Sequence, residues 1–349
     1  MRKVRLGFIG AGWWATSNHM PLLAARPDVE MAAVCRVGRA ELDRVKTQFD
    51  FGFATEDYRE LLDQPLDAVV VSTPHSLHYE HARAALERGL HVLVEKPMTT
   101  RADHARELAT IARERGLHLM VPYGWNYKAF VERAQQVLAT GAIGRIEFFT
   151  LQMASSLRAL LTGKDTKMAG GLFDPDPKTW SDPDIAGGGY AHAQLSHATG
   201  MLFYLLPELQ PISAYALMSR PGGQVDLYDA ITARFAGGVI GTIAGSGTIP
   251  NNRKFHLDLR IFGSDGMLLI DIERERLEVR RQEGADWALP IDPGDGNYSC
   301  EGPPNRFIDL ITGASTSNQS SGEVGARSVT LLDAAYRSAI SGLPETIGG

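Results

Sequence analysis

The period of the apolar positions changes near residue 124, and the two periods predict two different architectures. Before that point, short runs are apolar at nearly every residue: "VRLGFI" (4–9), "VEMAAVC" (29–35), "DAVVVST" (67–73), "HVLVEK" (91–96) and "LHLMVPY" (117–123). Between them lie amphipathic stretches at 14–25, 41–49, 76–89 and 101–115. The runs read as strands and the stretches between them as helices. Strands alternating with helices mark parallel βαβ units, and strands without a polar face imply a sheet covered on both sides.

Beyond residue 124, a helix over 127–139 leads into "GRIEFFTLQM", "PISAYALM", "DAITARFAGGVIGTIAGSG", "FHLDLRIFGSDGMLLIDI" and "RLEVRRQ". Here apolar and polar residues alternate, and "GG" and "DG" join the runs, which predicts antiparallel hairpins. "GASTSNQSSGEVG" (313–325) reads as a loop, and 326–342 as a closing helix ended by glycine. The expected organisation is a first domain over 1–123 and a second over 124–349. The second is α+β with a mostly antiparallel, open-faced sheet, and its final helix near 326–342 packs back toward the first domain.

Composition narrows the function classes. The chain has 349 residues, 44% hydrophobic and 22% charged, enough for large cores. A net charge of -6 carries no footprint for a nucleic-acid partner. No apolar run approaches the roughly 18 to 20 residues that span a bilayer. With only Cys35 and Cys300, neither a disulfide framework nor a structural zinc site is supported. The chain enters a strand within a few residues of its start, with no apolar leader before it. A cytoplasmic protein without nucleic-acid or membrane partners is expected.

The first chemical signal is "GFIGAGWWA", directly after the first strand. Gly10 allows a tight turn, and Gly12, lacking a Cβ, lets the backbone approach a pyrophosphate held at a helix N-terminus. Ala15 takes the third position of the fingerprint and is small enough for close helix–strand packing. Trp13 and Trp14 stand in the loop, where one can pack over a cofactor. At the end of the second strand, a carboxylate would bind a ribose 2′-OH, whereas this chain has Arg36 with Arg39 close behind. Guanidinium groups accommodate a 2′-phosphate, so NADP is expected in preference to NAD.

"VLVEKPMTT" places Glu95 and Lys96 at the C-terminal edge of an apolar strand, where sheets of this class bind ligands. Adjacent strand residues point to opposite faces, so the two do not naturally pair, and the lysine is free to reach a substrate. This strand, "STPHSLHYEHARAALERGLHVLVEKP", the glycine turn and the later "GGGYAHAQLSH" together resemble the Gfo/Idh/MocA family, named for glucose-fructose oxidoreductase and inositol dehydrogenase. The resemblance covers essentially the whole chain. It implies an α/β fold, a Rossmann doubly wound parallel sheet followed by the second domain described above.

The resemblance also implies an NAD(P)-dependent dehydrogenase or reductase acting on a secondary alcohol of a sugar, glycoside or cyclitol, assembled as a homodimer or homotetramer. Lys96 would hydrogen-bond the reacting oxygen, Pro97 would shape the turn, often through a cis bond, and His197 would be the acid/base. Ser72, Thr73, Pro74, His75 and His78, at and after the edge of the strand at 67–73, would line the cofactor site with Glu95. Many members carry an aspartate four residues before the histidine; Ala193 stands here, and Gln194 is the expected replacement. Tyr123, Trp125, Asn126, Trp180 and Asp184 are further candidates for the substrate pocket.

His192 and His197 lie five apart, about 140° around an α-helix, which argues against a chelating pair. The glycines at 187–189 read as a tight entry to the helix. No metal is expected there, nor at His75, His78 and His81. Two other readings stay open: a glycoside-processing enzyme that recycles a tightly bound NAD through a 3-keto intermediate, and a non-catalytic dinucleotide-binding regulator.

Overall fold

The computed structural model describes residues 2–167, 171–250 and 255–348. Six strands form the first sheet: β1 Val4–Ile9, β2 Val29–Cys35, β3 Phe53–Thr55, β4 Ala68–Val71, β5 His91–Val94 and β6 Leu119–Met120. Their order is β3-β2-β1-β4-β5-β6, with every pair parallel. The order reverses at β1, so the C-terminal ends of β1 and β4 open a crevice between helices on opposite faces. All four residues of β4 are fully buried, the consequence of helices on both sides. β3 and the short helix Tyr58–Leu62 after it have too weak an apolar period to be read from the sequence.

The second sheet has nine strands among the described residues: β7 Ile146–Ala154, β8 Pro211–Ser219, β9 Tyr228–Phe235, β10 Ile240–Ser246, β11 His256–Gly263, β12 Gly266–Asp271, β13 Arg276–Arg281, β14 Trp287–Pro290 and β15 Glu345–Thr346. The order is β14-β13-β12-β11-β7-β10-β9-β8-β15. All neighbours are antiparallel except β7 and β10, which run parallel. The "GG" and "DG" turns join β9 to β10 and β11 to β12, as the alternation requires. One face carries Phe149, Ile231, Ile243 and Leu259, all buried; the other leaves Tyr215, Leu217 and Ile240 exposed.

Two helices tie the sheets together. Helix Gly302–Thr312, which no sequence pattern singled out, inserts Phe307, Ile308 and Leu310 into the core over β1, and Arg26 pairs with its Asp309 at 2.8 Å. The last helix, Gly322–Ser341, begins four residues earlier than expected because the Ser321 hydroxyl caps it, accepting from the Val324 N–H. Gly322 and Gly325 let that helix lie against Leu119, Val121 and Met98 of the first domain. Among the described residues, no helix is long and apolar enough to cross a membrane.

Candidate active site

β1 runs into the turn at Gly10, whose φ of +90° suits glycine, and a Cβ there would collide with the Ser72 carbonyl. Gly12 faces open space, with no heavy atom within 4 Å of where a Cβ would stand. A helical turn begins at Trp13 and continues as a short π-helix, Ala15–His19, with Ala15 fully buried and the Thr16 N–H bonded back to the Gly12 carbonyl, so the free N–H groups of the helix start lie in the glycine turn itself. This cradle suits a diphosphate. It forms one wall of a cavity of about 590 Å³, faced by Ser72, Thr73 and Pro74 after β4.

At the far end of the cavity, the Arg36 guanidinium donates to the Ala11 carbonyl at 2.7 Å and lies 4.1 Å over the Phe173 ring. Its Nε is buried with no hydrogen-bond partner. Burial lowers the pKa of this group. Arg39 points away, pairing with Asp43 on its own helix in solvent. Phe173 is gripped from a second side by Arg44, so the segment from 171 onward roofs the groove.

Glu95 and Lys96 diverge from the end of β5, as neighbouring strand residues must. The Glu95 carboxylate, 7% exposed, accepts from the Trp14 indole at 2.8 Å, from His19 Nε2 at 2.6 Å and from the Lys96 amide at 3.1 Å. Burial alone would raise its pKa; the His19 hydrogen bond and charge and the Lys96 charge outweigh it and hold the group at about 2. Lys96 reaches the other way, and its ammonium donates to the Ala193 carbonyl at 2.9 Å beneath the Trp180 ring. Burial lowers the pKa of this lysine, opposed by Glu95. The Lys96–Pro97 peptide is cis.

The histidines after β4 are fully engaged. His75 Nδ1 donates to the Ala186 carbonyl, and burial, with the charges of His78 and Lys96, keeps the ring neutral. His78 lies between the carbonyls of Pro97 and Thr73, each 2.8 Å from a ring nitrogen, and its ring N–H donates to one of them, fastening the turn after Lys96 beside the edge of β4. His81 contacts the Thr73 hydroxyl. Among the described residues, no group of three or more His, Cys, Asp or Glu side chains converges as metal ligands would.

The stretch "GGGYAHAQLSH" packs three glycines against three different neighbours. A Cβ would strike Thr100 at Gly187, the Tyr336 hydroxyl at Gly188 and the Asp226 backbone at Gly189. The helix they lead into is not regular: Ala191–Leu195 is a π-turn, continued by the α-helix Ser196–Leu205. The 140° separation expected for His192 and His197 assumes 3.6 residues per turn and does not apply across this wider turn. The two rings nonetheless part company. His192 packs on Tyr336, while His197 lies between the rings of Tyr123 and Tyr298.

His197 is 4% exposed, and burial together with the nearby Lys96 charge pushes its pKa down to about 3, so the ring is neutral. Trp125 is buried against Tyr298 rather than lining the cavity. Asn126 donates to the carbonyls of Gly200 and Gln319, a structural role in the crossover between the domains. Gln194 is half-buried on the π-turn, and Asp184 is exposed on the short helix Pro183–Ala186, outside the cavity wall. Tyr298 and Cys300, from the loop after β14, had no sequence signal: nothing local marks a loop more than a hundred residues from His197 as its neighbour. Burial raises the Cys300 thiol to about 12.

The cavity therefore joins a diphosphate cradle to a buried ammonium, while the neutral His197, buried between Tyr123 and Tyr298, is not among the residues that line it. Two family models match the chain: "Oxidoreductase family, NAD-binding Rossmann fold" over residues 4–123 and "GFO/IDH/MocA C-terminal domain" over 131–269. Levoglucosan dehydrogenase of Pseudarthrobacter phenanthrenivorans is 25% identical over 313 residues, covering 80% of this chain and 76% of that one. The dTDP-3,4-didehydro-2,6-dideoxy-alpha-D-glucose 3-reductase of Streptomyces antibioticus is 28% identical over 303 residues, covering 83% and 84%. A solved structure of levoglucosan dehydrogenase with NADH and levoglucosan has a TM-score of 0.79 at 21% identity, with 100% of both chains covered.

Proposed function

This chain belongs to the Gfo/Idh/MocA oxidoreductase family, and on that footing we propose that it transfers a hydride between a nicotinamide dinucleotide, NADP in preference to NAD, and a secondary alcohol or ketone of a sugar, glycoside or cyclitol. The observation that carries the reading is the Lys96 ammonium, buried at the end of the glycine-lined cavity and hydrogen-bonded to the turn that leads to His197. A nicotinamide bound here would supply the hydride chemistry. The ammonium is set to stabilise negative charge developing on the substrate oxygen. The neutral His197 is in the form that takes the hydroxyl proton during oxidation and, once charged, returns it during reduction.

The preference for NADP rests on Arg36 and on the lack of a carboxylate at its position. Ala193 leaves no carboxylate on the π-turn to bind substrate hydroxyls, so Gln194 takes that part through its amide, which both donates and accepts. Tyr123 and Tyr298 would bound the substrate around His197, with Trp180 covering it. One observation favours the reading in which NAD is retained and recycled through a 3-keto sugar: Phe173, clamped by Arg36 and Arg44, roofs the groove through which the cofactor would leave. The exposed Tyr215, Leu217 and Ile240 suit burial against a second copy, giving a homodimer or homotetramer, and a cytoplasmic setting fits two free cysteines.

The test is the absorbance of reduced nicotinamide, followed with NAD and NADP separately over free sugars, inositols, sugar acids and glycosides. Reduction with one polyol class supports the dehydrogenase. No net reduction, with dinucleotide retained through purification and glycoside consumed, supports internal recycling. Absence of both would overturn the proposal in favour of a regulator.

A further inference from the structure

Against the π-turn, outside the lining of the cavity, lies a buried cluster that no step above uses. Asp226, in the loop before β9, is 1% exposed, and Asp229, on β9, is 4% exposed. Asp226 is fully committed to the start of the His197 helix: Oδ1 accepts the Gly189 N–H at 2.7 Å, Oδ2 accepts the Ala191 N–H at 2.9 Å, and its backbone carbonyl accepts the Tyr190 N–H at 2.9 Å. The Tyr336 hydroxyl, from the last helix, accepts the Gly189 and His192 N–H groups at 3.1 and 3.3 Å. Gly188, Gly189 and Gly245 are the positions where a side chain would collide with this cluster.

Asp229 is different in kind. Neither of its oxygens meets a hydrogen-bond partner, although both are buried, and the equally buried Asp226 carboxylate is the charged group that acts on it. A buried carboxylate with no donor and a carboxylate beside it is an arrangement proteins avoid; a protonated carboxyl that donates to its neighbour satisfies both groups. We propose that Asp226 and Asp229 share one proton, carried by Asp229, and that this acid pair positions the π-turn that bears the Ala193 carbonyl and leads to His197. The positioning role rests on the reading of Lys96 and His197 given above; the shared proton does not.

Other titratable groups face the pair. Tyr190 and His192 come from the helix itself and Tyr336 from the last helix, with Asp333 nearer to His192. Burial pushes His192 down to about 4 and raises both tyrosines, so at neutral pH all three are uncharged and none supplies a counter-charge. Burial and then Asp226 raise the Asp229 pKa well above its ordinary value, in keeping with the geometry.

The experiment compares thermal unfolding of the full chain with that of Asp229→Asn from about pH 5 to about pH 9. A group whose folded pKa is raised lends stability that is complete below its unfolded pKa and lost as pH rises through the folded one. Asparagine keeps a donor toward Asp226 and cannot ionise. The expected result is a Tm difference, variant minus wild type, that grows as pH rises. A difference that is negative and grows more so with pH would mean an ionised, structurally needed Asp229 and would overturn the shared proton.

Turnover adds the second readout. Asp229→Asn is expected to stay within about threefold of wild type, whereas Asp229→Val, which has no donor, loses about tenfold or more in kcat with the KM for dinucleotide unchanged. Equal losses in both variants would overturn the positioning role. The Tm signature without turnover on any substrate would leave the shared proton standing and count against the proposed function instead.

Discussion

The ammonium of Lys96 donates to the carbonyl oxygen of Ala193, 2.9 Å away, across 97 residues of chain. One hydrogen bond thus joins the C-terminal edge of the parallel sheet to the π-turn that opens the His197 helix. It gives the lysine an uncharged acceptor, so its charge remains available to a substrate oxygen. It also leaves Glu95 to its own partners.

If Lys96 and His197 act as proposed, removing either has a defined effect. Lys96→Ala and His197→Ala should each lower turnover by about 10²-fold or more, while the fold and dinucleotide binding are kept. Steady-state kinetics beside a cofactor-binding titration check this, and near-normal turnover in both variants would sink the assignment.

Glu95 is predicted to act on stability with a definite pH sign. Its folded pKa of about 2 lies below the ordinary 4.5, so its stabilisation is complete above the unfolded pKa and is lost as pH falls from about 4.5 through about 2. Glu95→Gln should cost about 2 kcal/mol or more at neutral pH, by weakening the bonds from Trp14 and His19. The gap between variant and wild type should close in acid; denaturation curves at several pH values measure it.

At the cofactor's other end, Arg36→Asp should reverse the coenzyme preference toward NAD by about tenfold or more in kcat/KM, since a carboxylate accepts from a 2′-OH and repels a 2′-phosphate. A ratio that does not move would show that Arg36 serves only to hold Ala11 and Phe173.

Gly10→Ala is expected to cost about 1–3 kcal/mol, because the residue needs φ of +90° and its Cβ would enter the Ser72 backbone. Dinucleotide binding should fall with it. Thermal unfolding and a binding titration on the same sample separate the two effects.

Leu217, 63% exposed on the open face of the second sheet, tests assembly. Leu217→Glu should yield monomers by light scattering if that face joins two copies, and a wild type that is itself monomeric would remove the idea.

The periodicities were enough to determine the two sheets and most of their strands, because an apolar run buried on both faces and an alternating run buried on one leave different marks in a sequence. The glycine turn, Arg36 and the Glu95–Lys96 pair were legible for the same local reason: each depends on where a strand ends. The helix Gly302–Thr312, Tyr298 at the side of His197 and the acid pair of Asp226 and Asp229 were not. Each acquires its role from contacts between segments far apart in the chain. The π-turn belongs with them, since the extra residue in its turn is held by Asp226 and Tyr336 from outside the helix and not by any preference of "AHAQL" itself. Local sequence sets how a segment folds; only the packed core decides which segments meet, and in this protein His197 takes its surroundings from where they do.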